Sequence, residues 1–435
     1  MESAQRTLPF VTNEHPNMTS RLRLPKGSPP EVVAALDLGT SKITCIIARA
    51  QDDLLNICAV ATEPSRGIER GEITDLDQAA EAIAAAAWKA QAVANVDCTG
   101  VFAGLATSRC KGHSSRGTCT LPKEHHTITD KVLGRATANA KNVMLPPDRQ
   151  IVDSVSMSFA VDDTQAIRNP IGMSGNRLDA EVYFATDSVS ATNHVTSCLR
   201  AIGCRNEGLL FEPFATAEAV LTADEKELGV VQIDIGEGTM DMAFYFAGAP
   251  RFTCVLPVGG GHIVRDVAVG LGTTREAARN LIHLHGTACE NILTSDQARE
   301  DIIVPTPDSD DAHTCKLGLL AHIIDCRVTE MLEIGRKELQ RHGLHNQGAR
   351  VVLTGGTALL NGIRRKTEQV FGTPARIGRP KIYVDDPEVG NNPAFATAVG
   401  LMVYGLKIRS QLPLARRNPL LTAAGRTFTW IREIF

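Results

Sequence analysis

Several features that would assign the chain to other protein classes are missing from its 435 residues. No uninterrupted apolar segment is long enough to span a bilayer. The eleven cysteines include no C-x-x-C pair, which argues against a disulfide framework or a zinc site and fits reduced cytosolic thiols. The formal net charge of only -4 argues against a general nucleic-acid binder.

The first 30 residues also lack the apolar core of a signal peptide. They are polar and rich in proline, so we expect a disordered leader and a protein that stays on the cytoplasmic side. The remaining chain is long and apolar enough, at 43% hydrophobic residues, for two or more cores. Its charge is uneven, because the stretch 407–435 holds six basic residues and one acid.

The stretch 230–246, VVQIDIGEGTMDMAFYF, joins two apolar strands through Asp234 and a glycine turn. We expect Gly236 and Gly238 to adopt backbone angles that other residues avoid, so that the turn points several amides into one concavity. Such a concavity suits phosphate, and Asp234 would face a phosphate-bound Mg²⁺ through water. Taken alone, the pattern would favour an ordinary hairpin with a glycine turn.

The pattern occurs a second time in 32–48, VVAALDLGTSKITCIIA, where Asp37 precedes Gly39, Thr40 and Ser41. Two such hairpins predict two lobes. A third stretch, 350–360, runs from a strand through Gly355 and Gly356 into a helix start, which lets backbone approach a flat ligand. A strand follows the first two glycine turns, so neither is a Walker loop or a dinucleotide fingerprint.

The two glycine hairpins followed by the stretch 350–360, in this order, resemble the motifs of the actin, sugar-kinase and heat-shock-chaperone ATPase superfamily. The stretches 167–186 and 228–245 and the end of the chain narrow the resemblance to the bacterial cell-division FtsA family, over roughly residues 31–435. The resemblance implies an α/β, two-lobed actin-like ATPase fold with an inserted subdomain in the first lobe and a C-terminal amphipathic helix.

The resemblance and the sequence pattern together predict nine segments. These are a disordered leader (1–30), the first lobe with the first hairpin (31–109), an inserted subdomain (110–187), the second lobe with the second hairpin (188–256), an upper subdomain (257–325), the second lobe with the adenosine motif (326–380), a return to the first lobe (381–406), a basic linker (407–419) and a membrane-targeting helix (420–435).

The family pattern implies ATP and Mg²⁺ as ligands, with each motif in a defined role. The residues expected on the phosphates are Gly39, Thr40, Ser41, Gly236, Gly238 and Thr239, and the further cofactor-binding residues are Lys42, Glu237 and Gly260. Gly355 and Gly356 would lie against adenosine, while Asp37 and Asp234 would be catalytic carboxylates that hold Mg²⁺ through water. Glu212, before Pro213, resembles an acid that orients the attacking water. It also fits an acid that only complements a helix terminus, and both interpretations stay open.

Two positions depart from the family pattern. Relatives usually have G-G-G-T where this chain has Gly236-Glu237-Gly238-Thr239, although actin also places an acid there. Relatives hold ribose and adenine with the Glu and the Lys of an A-E-x-x-K motif. Counting from Gly272-Thr273 without gaps places Arg279 at the Glu position and Ile282 at the Lys position. A shift of three residues would instead supply Glu276 and Arg279.

The segment 420–435, LLTAAGRTFTWIREIF, separates into two faces on a helical wheel of about 100° per residue. The apolar arc comprises Phe428, Trp430, Ile431, Ile434 and Phe435, and the polar arc includes Arg426 and Arg432. A tryptophan beside arginines is typical of a helix in a membrane interface. The alternative is a helix docked on the body, but the match to the family's membrane-targeting helix favours the membrane.

The resemblance therefore predicts an FtsA-like protein that binds ATP, forms filaments and anchors the FtsZ ring to the cytoplasmic membrane. Its expected partners are the C-terminal peptide of FtsZ at the upper subdomain, later division proteins at the insertion, further copies of itself and anionic lipid. The alternative is a small-molecule kinase of the same superfamily, which gives no reason for the tail. A chaperone fits less well, because no peptide-binding β-domain follows. Whether ATP is hydrolysed stays open.

Overall fold

The computed structural model describes residues 8–9, 31–51, 54–97, 99–121, 126–306, 312–344, 349–380 and 387–411. Most of the predicted leader, part of the polar loop at 305–311 and the whole predicted membrane helix lie outside these residues. Within the described part of the chain, no helix is both long enough and apolar enough to cross a membrane.

The first lobe is built on a six-stranded sheet in the order β1-β4-β3-β2-β7-β12. Its leading elements are β1 (Leu8–Pro9), β2 (Glu31–Leu38), β3 (Lys42–Gln51), β4 (Leu54–Pro64), the short pair β5 (Ile68–Glu69) and β6 (Glu72–Ile73), α1 (Leu76–Ala94) and β7 (Gly100–Leu105). The alanine-rich stretch 76–93 predicts a helix, which is present as α1. The helix begins after Asp75, whose side chain accepts a hydrogen bond from the Gln78 amide. Its alanine-rich buried face packs on this sheet.

The insertion is a four-stranded antiparallel sheet in the order β10-β9-β11-β8, with one helix on it. Its elements are β8 (Lys111–Thr120), α2 (Asp130–Lys141), β9 (Arg149–Val161), β10 (Thr164–Ile167) and β11 (Arg177–Ser188). The sequence predicts a helix at 129–142 and strands at 151–159 and 179–186, which correspond to α2, β9 and β11, but it does not predict β8 and β10. Strand β8, KGHSSRGTCT, is polar on most of its length because one face is exposed, so it has little of the apolar pattern that marks a strand.

The chain after the insertion returns to the first lobe, which corrects the prediction that the second lobe begins at residue 188. Helix α3 (Val189–Ala201) packs beside α1, and β12 (Arg205–Phe211) pairs in parallel with β7. Helices α4 (Glu212–Val220) and α5 (Ala223–Leu228) then lead to the second lobe. The sequence predicts a helix at 188–200 and a helix start at Glu212, but it predicts neither β12 nor α5, and strand pairing across 100 residues is not encoded locally.

The second lobe has a five-stranded sheet in the order β15-β14-β13-β18-β19, with helices above it. In chain order its elements are β13 (Val230–Ile235), β14 (Met240–Phe246), β15 (Ala249–Leu256), α6 (Gly260–Gly270), α7 (Arg275–His285), α8 (Ser295–Ala298), the hairpin β16 (Asp301–Pro305) and β17 (Ala312–Lys316), α9 (Leu317–Arg341), β18 (Arg350–Thr354), α10 (Ile363–Phe371) and β19 (Ala375–Ile377). The amphipathic stretch 319–341 predicts a long helix, which is present as α9. It contributes a row of buried residues to the core of this lobe.

After α11 (Pro387–Gly390), the last described helix, α12 (Ala396–Gln411), packs against α4 between the two sheets. It extends five residues into the segment predicted as a basic linker. The two helices approach closely, since a Cβ at Gly400 would lie 2.2 Å from the carbonyl oxygen of Ala215. Gln232 of β13 donates to the carbonyl of Pro213 at 3.3 Å, which ties α4 to the second sheet. This helix pair is therefore the packed joint between the lobes.

We expect Gly400→Ala to destabilise the protein by about 1 to 3 kcal/mol, because the added methyl group meets backbone rather than a side chain that can turn away. The control is Gly134→Ala in the middle of α2, where nothing lies within 4 Å of the added Cβ. This control should gain roughly 0.5 to 1 kcal/mol from helix propensity. Chemical denaturation of both variants measures the two values, and equal effects would contradict the close crossing.

Candidate functional site

The two predicted glycine hairpins are present, one in each lobe. In the first, β2 and β3 pair with Asp37 opposite Thr44, and residues 39–41 form the first turn. In the second, β13 and β14 pair with Asp234 opposite Asp241, and residues 236–239 form the second turn. The amide of Gly236 closes the second turn by donating to the carbonyl of Thr239 at 2.9 Å.

The two turns touch each other, and this contact explains one of the glycines. A Cβ at Gly238 would lie 2.5 Å from Thr40 Oγ1 and 2.9 Å from the Cα of Arg70. Thr40 Oγ1 also accepts a hydrogen bond from the Gly71 amide at 3.3 Å. The predicted reason for Gly236 and Gly238 was wrong, because neither has a positive φ. Gly238 is needed for close approach between the lobes.

The carbonyl of Gly236 joins three parts of the second lobe. It accepts hydrogen bonds from the Gly260 amide at 2.8 Å and from Thr357 Oγ1 at 3.2 Å. Gly260 is the first residue of α6, and Thr357 lies in the 3-10 turn Gly356–Leu359 that follows β18. The second turn, the start of α6 and the third glycine motif therefore form one bonded unit.

The two glycines of the third motif have different environments. Gly355 has a φ of 86°, and a Cβ there would lie 2.2 Å from Asp234 Oδ1. Gly356 is exposed and faces open space, with its nearest neighbour 4.0 Å away. Gly355 is thus required by the fold itself, while Gly356 leaves the surface beside Ala394 free of a side chain.

Two half-buried carboxylates lie at the ends of the hairpin strands, with one lysine nearby. Burial raises the pKa of Asp37 to about 7; the charge of Lys42 opposes this shift and that of Asp234 adds to it. Burial also raises the pKa of Asp234 to about 6, against hydrogen bonds from Thr397 and Thr216. Burial lowers the pKa of Lys42, whose Nζ lies 3.8 Å from the ring centre of Phe395.

Glu212 and Asp241 enlarge this acidic group. Burial raises the pKa of Glu212 well above its ordinary value, and the charges of Asp37, Asp241 and Asp234 add to the shift. Burial and the charge of Asp234 do the same for Asp241. Thr40 and Glu212 share the lining of a cavity of about 30 Å³ between the first turn and β7. The predicted acid at 212 therefore lies close to both aspartates.

Sequence reasoning missed Asp241 and Thr397. Asp241 is buried and its Oδ1 has no hydrogen-bond partner among the described residues, whereas Thr397 donates to Asp234 Oδ2 at 2.7 Å. A signal for Asp241 was available, since a four-residue turn in an antiparallel hairpin places residues 234 and 241 opposite each other. Thr397 has no such local signal, because it reaches the site from α12.

The other predicted residues lie either in the two turns or on helix α7. Ser41 is exposed, and its carbonyl accepts from the Ser65 amide at 3.0 Å. Glu237 forms an ion pair with Arg279 at 2.5 Å. Ile282, the other position of the gapless count, packs against the hydrophobic core of the second lobe. Arg279 thus contacts the second turn itself.

A second concave surface lies on α7 and β16, away from the turns. It is a groove of about 600 Å³ that is lined by apolar and polar side chains together. Leu284 and Ile303 are strongly exposed in it, at 71% and 69%, beside Glu276, Asn280 and Asp301. Exposed branched apolar residues with a polar rim are typical of a surface that contacts another chain.

Comparison with solved structures defines the class of protein. The chain superposes on a PilM-PilN type IV pilus biogenesis complex with a TM-score of 0.61 at 16% identity, over 87% of this chain and 99% of that one. It superposes on MreB 5 of Spiroplasma citri bound to AMPPNP with a TM-score of 0.52 at 11% identity, over 88% and 98%. The fold is therefore the two-lobed actin-like fold that the sequence predicted.

Comparison with known sequences defines the family. The family model described as "Cell division protein FtsA" matches residues 231–400, and that described as "SHS2 domain inserted in FTSA" matches residues 107–186. Cell division protein FtsA of Neisseria meningitidis is 35% identical over 93% of this chain and 98% of its own length. FtsA of Escherichia coli is 30% identical over 94% and 100%. The chain belongs to the FtsA family of cell division proteins.

We expect the stability of the ligand-free protein to fall, relative to that of Asp37→Asn, as the pH rises from about 4 to about 7. The folded-state pKa of Asp37, about 7, lies above the ordinary 3.8. Between these values the folded chain holds a proton that the unfolded chain has lost, so raising the pH removes stability. Above this window the variant should be the more stable protein.

Thermal unfolding of both proteins in metal-free buffer, from about pH 5 to about pH 8, tests this dependence. A difference between their melting temperatures that stays constant over that range would contradict a raised pKa at Asp37.

Proposed function

We propose that the chain binds ATP with Mg²⁺ between its lobes, assembles into filaments and tethers the FtsZ ring to the cytoplasmic membrane. The proposal of ATP binding rests on one observation: the two turns and the third glycine motif converge beside Asp234. Three glycine-containing backbone segments from two lobes meet there, and the surface at Gly356 stays open. Membership of the FtsA family supports the role in division.

In this proposal the turns bind the phosphates. Backbone amides and hydroxyls of residues 39–41 and 236–239 are the donors, and Lys42 supplies a positive charge beside Asp37. The open surface at Gly356 receives the adenosine. Because Gly238 is packed against Thr40, nucleotide that contacts both turns would fix the angle between the lobes. This gives nucleotide a physical route to favour assembly.

The residues present fit a magnesium ion. Mg²⁺ takes oxygen ligands and keeps several waters, and Asp37 and Asp234 are carboxylates at the mouth of the site. The unpartnered Oδ1 of Asp241 marks an uncompensated buried oxygen in the same group. Bound Mg²⁺ would supply charge neutralisation for the phosphates, while Asp37 and Asp234 would hold its water ligands. Glu212, inside the same acidic group, would orient a water molecule.

The remaining parts of the proposal concern partners. The groove on α7 and β16 lies in the upper subdomain, where the family resemblance puts the C-terminal peptide of FtsZ, and its exposed Leu284 and Ile303 suit apolar side chains of a peptide. The insertion would serve the contacts with neighbouring copies and later division proteins. The segment 420–435 would lie in the membrane surface with Trp430 on its apolar side.

We expect Gly238→Ala to reduce ATP affinity roughly tenfold or more, because crowding of about 1 to 3 kcal/mol would separate the turns. Gly236→Ala is the matched control: its added Cβ would lie 3.5 Å from the nearest atom, so the turns keep their contact and the loss should be smaller. Titration calorimetry with Mg-ATP measures both. Wild-type affinity in Gly238→Ala would exclude binding across the two turns.

We expect Trp430→Glu to lower binding to liposomes of anionic lipid by more than about tenfold, since it removes a buried apolar side chain and adds a charge. Thr429→Glu adds the same charge on the polar face and should have a much smaller effect. Flotation of each variant with liposomes, with and without FtsZ and ATP, is the measurement. Equal flotation of the two variants would contradict a helix with Trp430 inserted.

A further inference from the structure

One residue of the second turn carries a negative charge toward a site for negatively charged phosphates. Glu237 lies between Gly236 and Gly238, and its side chain is mostly enclosed, at 19% exposure. Arg279 on α7 approaches it from the upper subdomain, with Nη2 at 2.5 Å from Glu237 Oε1. Arg279 itself is half-exposed, at 50%. The Glu237 carboxylate is thus paired with Arg279, whose side chain is partly in contact with solvent.

The backbone of Glu237 is held from the same side. Its carbonyl accepts from the Gly261 amide at 2.8 Å, and a Cβ at Gly259 would lie 2.6 Å from that carbonyl oxygen. A Cβ at Gly261 would lie 3.3 Å from Glu237 Oε1. The glycines at the start of α6 therefore make room for both the main chain and the side chain of this one residue, while α7 supplies its counter-ion.

The charges around the site explain why the ion pair between Glu237 and Arg279 is important. Burial raises the pKa of Asp37 and of Asp241, the charge of Asp234 adds to both shifts, and the charge of Lys42 opposes the shift at Asp37. A bound polyphosphate adds further negative charge within a Debye length, about 8 to 10 Å, of the second turn. An uncompensated Glu237 would therefore repel the ligand that the neighbouring amides attract.

We propose that Arg279 is a positioning residue for phosphate binding: it neutralises Glu237 and holds that side chain against the start of α6, so that the second turn can accept a polyphosphate. This inference rests on the proposed nucleotide function and adds a residue from the upper subdomain to that site. Arg279 acts through Glu237 rather than by contact with the adenosine. Its importance consequently depends on the presence of the acid at 237.

A double-mutant cycle tests this dependence. We expect Arg279→Ala to weaken Mg-ATP binding about three- to fivefold, as for loss of a partly exposed ion pair. Glu237→Ala should strengthen binding, because it removes the repulsive charge. In the Glu237→Ala background, Arg279→Ala should cost no further affinity. Titration calorimetry of the full chain with ATP and with ADP supplies the four affinities for each nucleotide.

Two further readouts separate charge compensation from a general structural defect. The loss in Arg279→Ala should be larger for ATP than for ADP and should shrink as salt is raised, because it is electrostatic. Arg279→Lys should recover part of the affinity. Arg275→Ala, which removes an exposed arginine one turn earlier on α7, is the matched control and should bind as wild type does.

The outcomes are distinct. If Arg279→Ala binds like wild type, or loses as much affinity without Glu237 as with it, the proposed compensation is wrong. If the loss is the same for ATP and ADP and insensitive to salt, Arg279 has only a structural role and the proposal also fails. If the unaltered protein binds no Mg-ATP while remaining folded, the nucleotide function itself is refuted, and the role of Arg279 in it falls with that function.

Discussion

The arrangement of the site depends on one backbone acceptor, the carbonyl of Gly236. Its two hydrogen bonds, from the Gly260 amide and from Thr357 Oγ1, connect the second turn to the upper subdomain and to the third glycine motif. A carbonyl has two lone pairs, and here both are used by segments that are distant in the sequence. If either segment moved independently, a partly buried donor would lose its hydrogen-bond partner, which costs free energy. The second lobe therefore presents its parts of the site as one body.

Between the two glycine turns the constraint is steric. Gly238 brings the two turns together because any side chain there would meet Thr40 and the backbone of Arg70. Gly400 does the same for the helices α4 and α12 below the site. The lobes are thus in contact at the top and at the base of the cleft. Between these contacts lies the group of carboxylates, held close together with raised pKa values, whose charge a cation would balance.

Local sequence patterns predicted much of this architecture. The hairpins around Asp37 and Asp234, the glycine step at Gly355 and several of the longer helices were predicted close to their observed limits, because turn chemistry and hydrophobic period are local properties. The family resemblance supplied the order of the lobes and the insertion. Which residues of the site touch the ligands stays a prediction, as does the membrane helix at 420–435.

Features created by distant segments could not be predicted. The placement of β12 beside β7, the contact of Thr397 with Asp234 and the pairing of Glu237 with Arg279 all join segments at least 42 residues apart. The glycine turns illustrate the same limit: the sequence showed that Gly238 was special, but the reason was another loop rather than its own dihedral angle.

The side-chain contacts along helix α12 determine how a pulling force would be transmitted into the protein. Along its length Tyr404 donates to Asp153 of the insertion at 3.0 Å, Lys407 pairs with Glu218 of α4, and Arg409 binds the Val32 carbonyl at 2.8 Å and pairs with Glu207. Tension applied to the chain beyond residue 411 would load these contacts together, in shear along the helix axis. The force would enter through the first-lobe strand that bears Asp37, through the insertion and through α4, so a pull on this end of the chain would reach both the first turn and the joint between the lobes.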